Sequence, residues 1–403
     1  MSSVLAWTLS ACNAWDSAPG VSAEAAPLSP RRKVTLDRAN LPLATASPDE
    51  LKTFSRGDAL FEAQFRSSDG LGPLYIRASC SACHAGDSRG PGRVTRLDHR
   101  AFAPEQRPRV SQFGDTVRPF SSNPGVRPWP APGEQPSPAS YRLPPAIFGR
   151  AHMEAVSDAA IEALERRSQT RPGPIRGRIH RVASEVASKE PQEGSPRTGR
   201  IGRFGLKARI ATLPEFTADA LLGDMGLTSP LRPHELPNPD GIEDDDKPGV
   251  DVTSEMLDAL TLYTRLLDIP ARATARPEAV ALFEQVDCSR CHVPELPTRA
   301  DYPIAALRAT RVRIYTDLLL HHMGSGLADG IPEGEASGRE WRTAPLIGLR
   351  FLPALLHDGR VDNVYQAILA HASEGSEANE SVEKFNALTA HEQATLVEHV
   401  EAL

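Results

Sequence analysis

The chain has 403 residues, which is long enough for two or three ordinary domains that each bury a core. Its 45 basic and 52 acidic residues give a formal net charge of −7, which argues against a nucleic-acid-binding or membrane-binding protein with a generally basic surface. The 36 prolines and 29 glycines indicate many loops. Beyond the N-terminal segment, no apolar run is long enough to span a bilayer.

The N-terminal segment is typical of an exported lipoprotein. The apolar stretch MSSVLAWTLSA precedes Cys12, and small residues before a cysteine form the cleavage pattern that precedes lipidation of that cysteine. We therefore predict export, with a lipid anchor at Cys12, and we interpret residues 1–48 as a signal followed by a flexible lead. The alternative is an incidental cysteine in a disordered tail.

Helical periodicity begins after this lead. Leu51, Phe54 and Phe61 recur at helical intervals ahead of the sequence CSACH. A long segment of about residues 88–250 follows, rich in proline and basic residues, in which Ser157 is the predicted N-cap of a helix. Within this segment the carboxylates of EDDDKPG could bind calcium, although a solvated loop is the simpler interpretation.

Each half of the chain closes with a predicted amphipathic helix. Residues 253–267 carry Tyr263 on their apolar stripe, and the C-terminal stretch has Thr389 as N-cap with Glu392 three residues later, a capping box. Between them, a helix with Pro277 in its first turn leads into DCSRCH. The order of helix, CxxCH, loops and closing helix is typical of a cytochrome c domain, and it occurs twice.

The two CxxCH motifs carry the chemistry. They consist of Cys80, Cys83 and His84, and of Cys288, Cys291 and His292. Thiols at this spacing add to the vinyl groups of a haem while the next imidazole reaches the iron. A zinc site built from two CxxC pairs would leave both histidines without a role, and a redox dithiol is the weakest alternative. We predict two covalently bound c-type haems.

The fold class follows from this organisation. We expect a mainly α protein with two cytochrome c-like haem domains, at residues 49–270 and 271–403. The first domain would contain the long loop-rich insertion. Only Cys12 lies outside the motifs, so no cysteine pair remains for a disulfide.

Several stretches give the chain a specific resemblance to a known family. GPLYIRASCSACH, GRIGRFGLKARIATL, GDMGLTSPL, EWRTAPLIGLR and LLHDGRVDNVYQAILAHASEGSEA resemble the dihaem cytochrome c peroxidase superfamily, and within it the dihaem oxidoreductases that are also named thiol oxidoreductases. The resemblance runs from about residue 55 to the C-terminus. It implies an N-terminal haem that meets peroxide and a six-coordinate C-terminal haem that transfers electrons.

The resemblance also implies a sixth ligand and a distal acid. In the superfamily a motif that here begins at His357 is followed fourteen residues later by the sixth ligand, which is His371 in this chain. Met323 and His321 are rivals, and an exposed helix histidine is the plain alternative. The acid that moves a proton in the peroxidases corresponds to Asp224 in GDMG.

The chain departs from the superfamily at two positions. A glutamine of the peroxidases falls at Phe216, and a tryptophan that follows RFG in the closer family is Leu206 here. Electrons would then pass between the haems by another route, through Trp129 or by direct tunnelling.

Further candidate residues can be named on weaker grounds. His99, His152 and Glu154 are candidate groups of the peroxide pocket, each with the alternative of a solvated or hydrogen-bonded side chain. Arg203 and Lys207 are candidates to pair with haem propionates.

Together these features predict an exported dihaem c-type oxidoreductase. It would reduce hydrogen peroxide, or a similar small oxidant, at the N-terminal haem with electrons that enter through the C-terminal haem. We expect a periplasmic donor, either a small cytochrome c or a copper protein. The alternatives are oxidation of a partner protein's side chains, a haem-dependent oxygenase, and a dihaem cytochrome that only transfers electrons.

Overall fold

Helices and short antiparallel strand pairs alternate along the chain. The computed structural model describes residues 41–87, 92–98, 113–131, 139–183, 198–242 and 247–403. The α-helices of these residues are α1 (Pro48–Glu62), α2 (Arg150–Ala155), α3 (Asp158–Thr170), α4 (Leu213–Met225), α5 (Ser254–Leu266), α6 (Pro277–Gln285), α7 (Val364–Leu369), α8 (Asn379–Asn386) and α9 (Ala390–Glu401). Within the same residues, no helix is both long and apolar enough to cross a membrane.

The strands form two-stranded antiparallel ladders. They are β1 (Leu74–Tyr75) with β3 (Phe120–Ser121), β2 (Val94–Leu97) with β4 (Ala139–Arg142), β5 (Arg181–Ala183) with β6 (Thr198–Ile201), β7 (Glu295–Pro297) with β8 (Arg311–Arg313), and β9 (Leu320–His322) with β10 (Glu340–Arg342). The described residues are 34% helical and 15% strand, which is an ordinary helix content. The expected mainly α class is therefore met only in part, and the division into two cytochrome c-like domains stays a prediction.

The first half is built on the packing of α1 against α5. The rings of Phe54 and Phe61 lie 4.9 and 5.3 Å from the ring of Tyr263. A Cβ atom at Gly57 would lie 2.3 Å from the carbonyl oxygen of Ala259, so only glycine allows the two helices to approach this closely. This pairing brings the opening helix of the first half onto its closing helix.

The second half repeats this arrangement with α6 against α9. The predicted capping box of Thr389 with Glu392 is present, and the side chain of Ser157 accepts a hydrogen bond from the backbone of α3 as an N-cap should. Pro277 begins α6 as predicted. Leu51 differs from the prediction, since it is 39% exposed and lies off the buried face of α1.

Both halves contribute to one hydrophobic core. The same cluster of buried residues contains Phe61 and Tyr263 from the first half and Phe283, Phe385 and Leu396 from the second. The two halves therefore share buried apolar surface, which the sequence pattern of two separate haem units did not indicate.

A buried ionic network also joins the two halves. Glu333 lies 2.6 Å from Arg142 on β4 and 3.1 Å from Arg96 on β2, and Arg142 lies 2.5 Å from Asp329. Asp329 in turn lies 3.3 Å from the ammonium of Lys207. Burial raises the pKa of Glu333, but the neighbouring arginines outweigh it and hold this pKa at about 2.

Replacing Glu333 with Gln should destabilise the protein by about 3 kcal/mol near pH 7, because it leaves the facing arginines without their buried counter-charge. The pKa of Glu333 is lowered from 4.5 to about 2. Its contribution is therefore complete above about pH 4.5 and is lost as the pH falls towards about 2. Urea unfolding of both proteins should show a smaller difference near pH 3 than near pH 7.

The matched control is Glu162→Gln, which removes an ion pair with Arg181 in which the two side chains are 39% and 45% exposed. It should change the free energy of unfolding by less than about 1 kcal/mol. An equal decrease in the free energy of unfolding in both variants would contradict the stabilising role of the buried network.

Candidate functional site

The second CxxCH motif lines a large cavity. Helix α6 ends at Gln285, and a single 3-10 turn over Cys288–Arg290 begins the motif. The His292 amide donates to the Cys288 carbonyl at 2.9 Å, which closes the motif into one turn. Both thiols and the imidazole border a cavity of about 250 Å³. The local fold therefore turns the three reactive groups of the motif towards one space.

His292 is a neutral imidazole with one nitrogen held in place. Its Nδ1 lies 3.0 Å from the carbonyl oxygen of Tyr315, and a carbonyl can only accept, so Nδ1 carries the proton and Nε2 keeps its lone pair. Burial, and then the imidazole of His371, lower the pKa of His292 to about 4. A neutral imidazole oriented by a carbonyl in this way is typical of a metal ligand.

His371 has the same chemical character. It follows α7, lines the same cavity, and its Nδ1 donates to the carbonyl oxygen of Ala367 at 2.6 Å. Burial lowers its pKa against the opposing effect of that hydrogen bond. Because His371 acts electrostatically on His292, the two imidazoles lie near each other. The assignment of His371 as the sixth ligand stays a prediction.

His321 is engaged on both ring nitrogens. Its Nε2 lies 2.8 Å from Asp317 and its Nδ1 lies 2.8 Å from Glu377. Burial opposes protonation, but the charge and the hydrogen bond of Asp317 act against it and raise the pKa of His321 above its ordinary value. A protonated imidazole has no lone pair to give, so this geometry argues against His321 as a ligand. Met323, the other rival, lines the cavity.

The remaining cavity wall suits a flat apolar ring with charged substituents. Apolar side chains form much of it, including Leu206, Leu327, Ile347, Leu352, Val364 and Phe385. The indole of Trp341 and the imidazole of His357 stack at 4.0 Å and both reach the cavity. Arg150 and Arg342 also line it, where Arg150 donates to the carbonyl of Ala146 at 2.5 Å and Arg342 donates to the carbonyl of Thr343 at 2.7 Å.

Arg203 and Lys207 have other partners than the propionates that the sequence suggested. Arg203 lies 2.5 Å from Asp158, and Lys207 donates to the carbonyl of Ser337 at 2.8 Å. The Lys207 ammonium also lies 4.0 Å from the ring centre of Trp341. Sequence reasoning missed Arg150 and Arg342 because nothing in their local pattern separates them from the other arginines of the chain.

The first CxxCH motif forms the same turn. The amides of Cys83 and His84 donate to the Cys80 carbonyl at 3.0 and 2.9 Å. The ring of Phe61 on α1 lies 6.1 Å from the imidazole of His84. A Cβ atom at Gly92 would lie 2.5 Å from the Cys83 sulfur, so the chain passes directly over this thiol. The two motifs are therefore two copies of one local structure.

Asp224 lies beside the first motif. It is the penultimate residue of α4, and its carbonyl accepts the Ile76 amide at 2.7 Å, which ties the end of the helix to the segment leading into the motif. Its carboxylate raises the pKa of both Cys80 and Cys83, where burial is the larger cause. Burial, and then the charge of Asp219, raise the pKa of Asp224 itself to about 6.

Glu154 is engaged in a buried ion pair. Its carboxylate lies 2.8 Å from Arg265 and accepts further hydrogen bonds from the Tyr302 hydroxyl at 2.8 Å and the Leu213 amide at 2.7 Å. Burial raises its pKa, but Arg265 and these hydrogen bonds outweigh it and lower the pKa. This geometry favours a structural role over the catalytic role that the sequence suggested.

The other candidate residues are distributed as follows. His152 is buried on α2, 3.8 Å from Asp268, and burial lowers its pKa to about 4. Phe216 stacks on Phe204 at 5.7 Å. Trp129 lies in a small separate cluster with Leu74, Phe113 and Val126. Cys12, His99 and residues 243–246 of the acidic run lie outside the described residues.

Residues 139–403 match the family described as "Di-haem oxidoreductase, putative peroxidase". The chain belongs to this family. The matched range contains the second motif, His371 and Asp224, whereas the first motif lies ahead of it. A search of curated proteins gives no match.

Two solved structures show a weak similarity. Hydrazine synthase of Kuenenia stuttgartiensis, pressurized with xenon, is 14% identical over 96% of this chain and 98% of that chain, with a TM-score of 0.40. A MauG-like protein associated with microbial copper homeostasis is 14% identical over 95% of each chain, with a TM-score of 0.39.

Membership of a di-haem oxidoreductase family implies two haems, and the chain offers two matching sites. At the second site the fit is seen in the apolar cavity and in two neutral imidazoles, His292 and His371, with Nδ1 bonded to the backbone. At the first site it is seen in the identical turn of the motif. The residues present therefore suit the group that the family implies.

Replacing His371 with Ala in this di-haem oxidoreductase should convert one haem to a high-spin form, because its sixth coordination position would lose the imidazole. Absorption and electron paramagnetic resonance spectra of the oxidised protein measure this change. The control is His391→Ala, which removes an exposed histidine at the start of α9. A spectrum of the His371 variant that is indistinguishable from the control would reject the ligand assignment.

Proposed function

We propose that this di-haem oxidoreductase is an exported peroxidase that reduces hydrogen peroxide at the N-terminal CxxCH motif. Electrons would enter at the C-terminal motif. When bound, the two haems supply redox-active irons, one open to peroxide and one that holds an electron for transfer. The observation that carries the proposal is the position of Asp224, an acid with a raised pKa, beside the first motif.

Asp224 supports the proton chemistry of the reaction. Hydrogen peroxide, two protons and two electrons give two molecules of water, and a nearby group has to take a proton from one oxygen and return it to the other. A carboxyl with a pKa of about 6 exchanges protons readily near neutral pH. Burial and the charge of Asp219 raise this pKa, while the charges of Arg209 and Arg96 lower it. The ionised carboxylate, which can act as a base, is therefore still populated near neutral pH.

The second site is suited to electron transfer. His292 and His371 are both neutral and both fixed through Nδ1, so these two imidazoles would hold the haem of this site. A filled sixth position avoids a change of spin state and keeps the reorganisation on electron transfer small. Two imidazoles also give a lower reduction potential than a histidine and methionine pair.

The motifs support covalent attachment and export. Each brings two thiols and an imidazole into one turn, and c-type haem is normally attached outside the cytoplasmic membrane. A periplasmic location, with a lipid anchor at Cys12, belongs to the same proposal.

Replacing both Cys80 and Cys83 with Ser should lower the covalently bound haem from two to one per chain, because the thioether bonds of the first site cannot form. Mass spectrometry of the denatured protein, together with a haem assay, measures this. Cys288→Ser with Cys291→Ser should give the same loss at the other site. Retention of two covalent haems in either variant would contradict the assignment.

Replacing Asp224 with Asn should lower kcat/KM for peroxide by about 10²-fold or more, because no carboxylate is left to move the proton. In the wild-type protein the rate should rise with pH through about 6, where Asp224 loses its proton. The variant should lack this rise. Initial rates between about pH 4.5 and 8 measure both effects.

Asp258→Asn, on the exposed face of α5, is the matched control and should keep the wild-type pH profile. Both variants should carry the wild-type haem content. If Asp224→Asn reacts as fast as the control, the proton-transfer role fails. If the wild-type protein accepts electrons but never reduces peroxide, the alternative of a purely electron-transferring cytochrome replaces the proposal.

A further inference from the structure

Five arginines form a connected surface next to the second CxxCH motif, here named the arginine rim. They are Arg272, Arg276, Arg311, Arg313 and Arg350. Arg311 and Arg313 on β8 share the carboxylate of Glu295, each at 3.3 Å. Arg272 donates to the carbonyl of Arg313, and Arg350 donates to the carbonyl of Ala271, the residue before Arg272. These contacts link four of the five side chains. Arg276 lies in the same region, because burial first, and then the charges of Arg313 and Arg276, lower the pKa of His399.

The arginine rim is positive on a protein whose net charge is negative. The carboxylates next to it are Glu295, Asp268 beside Arg272, and Glu398, which lies 2.8 Å from Arg276. The carboxylate of Leu403 also accepts a hydrogen bond from Arg272 at 3.2 Å. Five cations therefore face four anions, on a chain with a net charge of −7. The side chains of Arg276, Arg311 and Arg313 are 53%, 61% and 52% exposed, so the excess positive charge faces solvent.

Tyr315 connects the arginine rim to the second motif. Its hydroxyl accepts a hydrogen bond from Arg313 at 3.3 Å, and Arg272 lies 5.7 Å from its ring centre. Its backbone carbonyl accepts the Nδ1 proton of His292 at 3.0 Å. Tyr315 therefore contacts both His292 and the arginine rim. Electrons tunnel more readily along covalent and hydrogen bonds than through empty space over the same distance.

We propose that the arginine rim is the docking site for the acidic face of an electron-donor protein. This inference rests on the proposed function, because it names the partner that supplies electrons to the second motif. Each docked donor would lose one electron through the Tyr315–His292 contact, and two donor molecules would be oxidised for each peroxide reduced. Complementary charge would speed the encounter and orient the donor.

An anionic membrane or a nucleic acid would also be attracted by positive charge. Neither of these partners requires a residue that spans from the charged surface to a haem ligand. The contact between Arg313, Tyr315 and His292 therefore favours a redox protein, and the other partners become outcomes of the test.

Two probes of opposite charge test the surface of the holoprotein. Native mitochondrial cytochrome c is basic, and the same cytochrome with succinylated lysines is acidic, so the pair differs mainly in surface charge. Isothermal titration calorimetry should give a Kd at least about tenfold lower for the acidic probe at low ionic strength. This difference should shrink as salt is added, since exposed charges are screened.

Matched triple variants locate the binding site. The rim variant is R276Q/R311Q/R313Q. The control variant is R66Q/R127Q/R181Q, whose arginines are 76%, 64% and 45% exposed and also paired with carboxylates. The rim variant should bind the acidic probe about tenfold more weakly, whereas the control variant should stay within about twofold of the wild type. Circular dichroism and haem content show whether each variant is folded.

Electron transfer provides a second readout. Stopped-flow oxidation of the reduced protein by the oxidised acidic probe should slow by a similar factor in the rim variant. This is the favourable direction, because a site with two imidazoles has a lower potential than the His/Met haem of the probe. The neutral oxidant p-benzoquinone serves as reference. The ratio of the two rates should fall in the rim variant and stay near the wild-type value in the control variant.

Equal affinity for both probes, or equal losses in both triple variants, would overturn the docking site. If the rim variant keeps its affinity for the acidic probe but loses binding to vesicles with phosphatidylserine, the surface binds membranes and the inference is wrong. If the holoprotein never reduces peroxide when it is supplied with the reduced probe, the proposed function fails. The binding and single-turnover measurements still decide the docking site in that case.

Discussion

A buried imidazole has to find a hydrogen-bond partner, and this constraint organises the second site. The Tyr315 carbonyl accepts the Nδ1 proton of His292, and the Ala367 carbonyl does the same for His371. Each bond fixes the tautomer and leaves the opposite nitrogen with a lone pair. His321 lies in the same cavity wall but faces two carboxylates, so it takes up a proton instead. Backbone and carboxylate partners therefore decide which histidines can bind a metal.

The buried charged groups between the two halves obey a similar constraint, because each of them needs a partner of opposite charge. Arg142 is buried only because Glu333 and Asp329 neutralise it. Asp329 also pairs with Lys207, whose ammonium lies over the indole of Trp341 in the cavity of the second site. Positive charge over this ring disfavours a cation radical on Trp341.

The sequence predicted features formed by residues a few positions apart, but it did not predict contacts between residues that are far apart in the chain. The capping box at Thr389 and the CxxCH turn at Cys288 depend on residues a few positions apart, so their patterns could be read directly. The strand pairs are two to four residues long, too short to show a period. The burial of Glu333 depends on partners about 190 to 240 residues away in sequence, which no local pattern reveals. The first and closing helices were predicted because their apolar faces are long.

Two acids show why environment rather than residue type assigns a role. Glu154 and Asp224 are both carboxylates removed from water, and burial raises the pKa of each. At Glu154 the charge of Arg265 and three short hydrogen bonds outweigh burial, so the carboxylate stays ionised and its oxygens are occupied. At Asp224 a second acid, Asp219, adds to burial, and the group is balanced between its two protonation states near neutral pH. A group that must give and take a proton needs this balance, and a group that must hold two helices together needs the opposite.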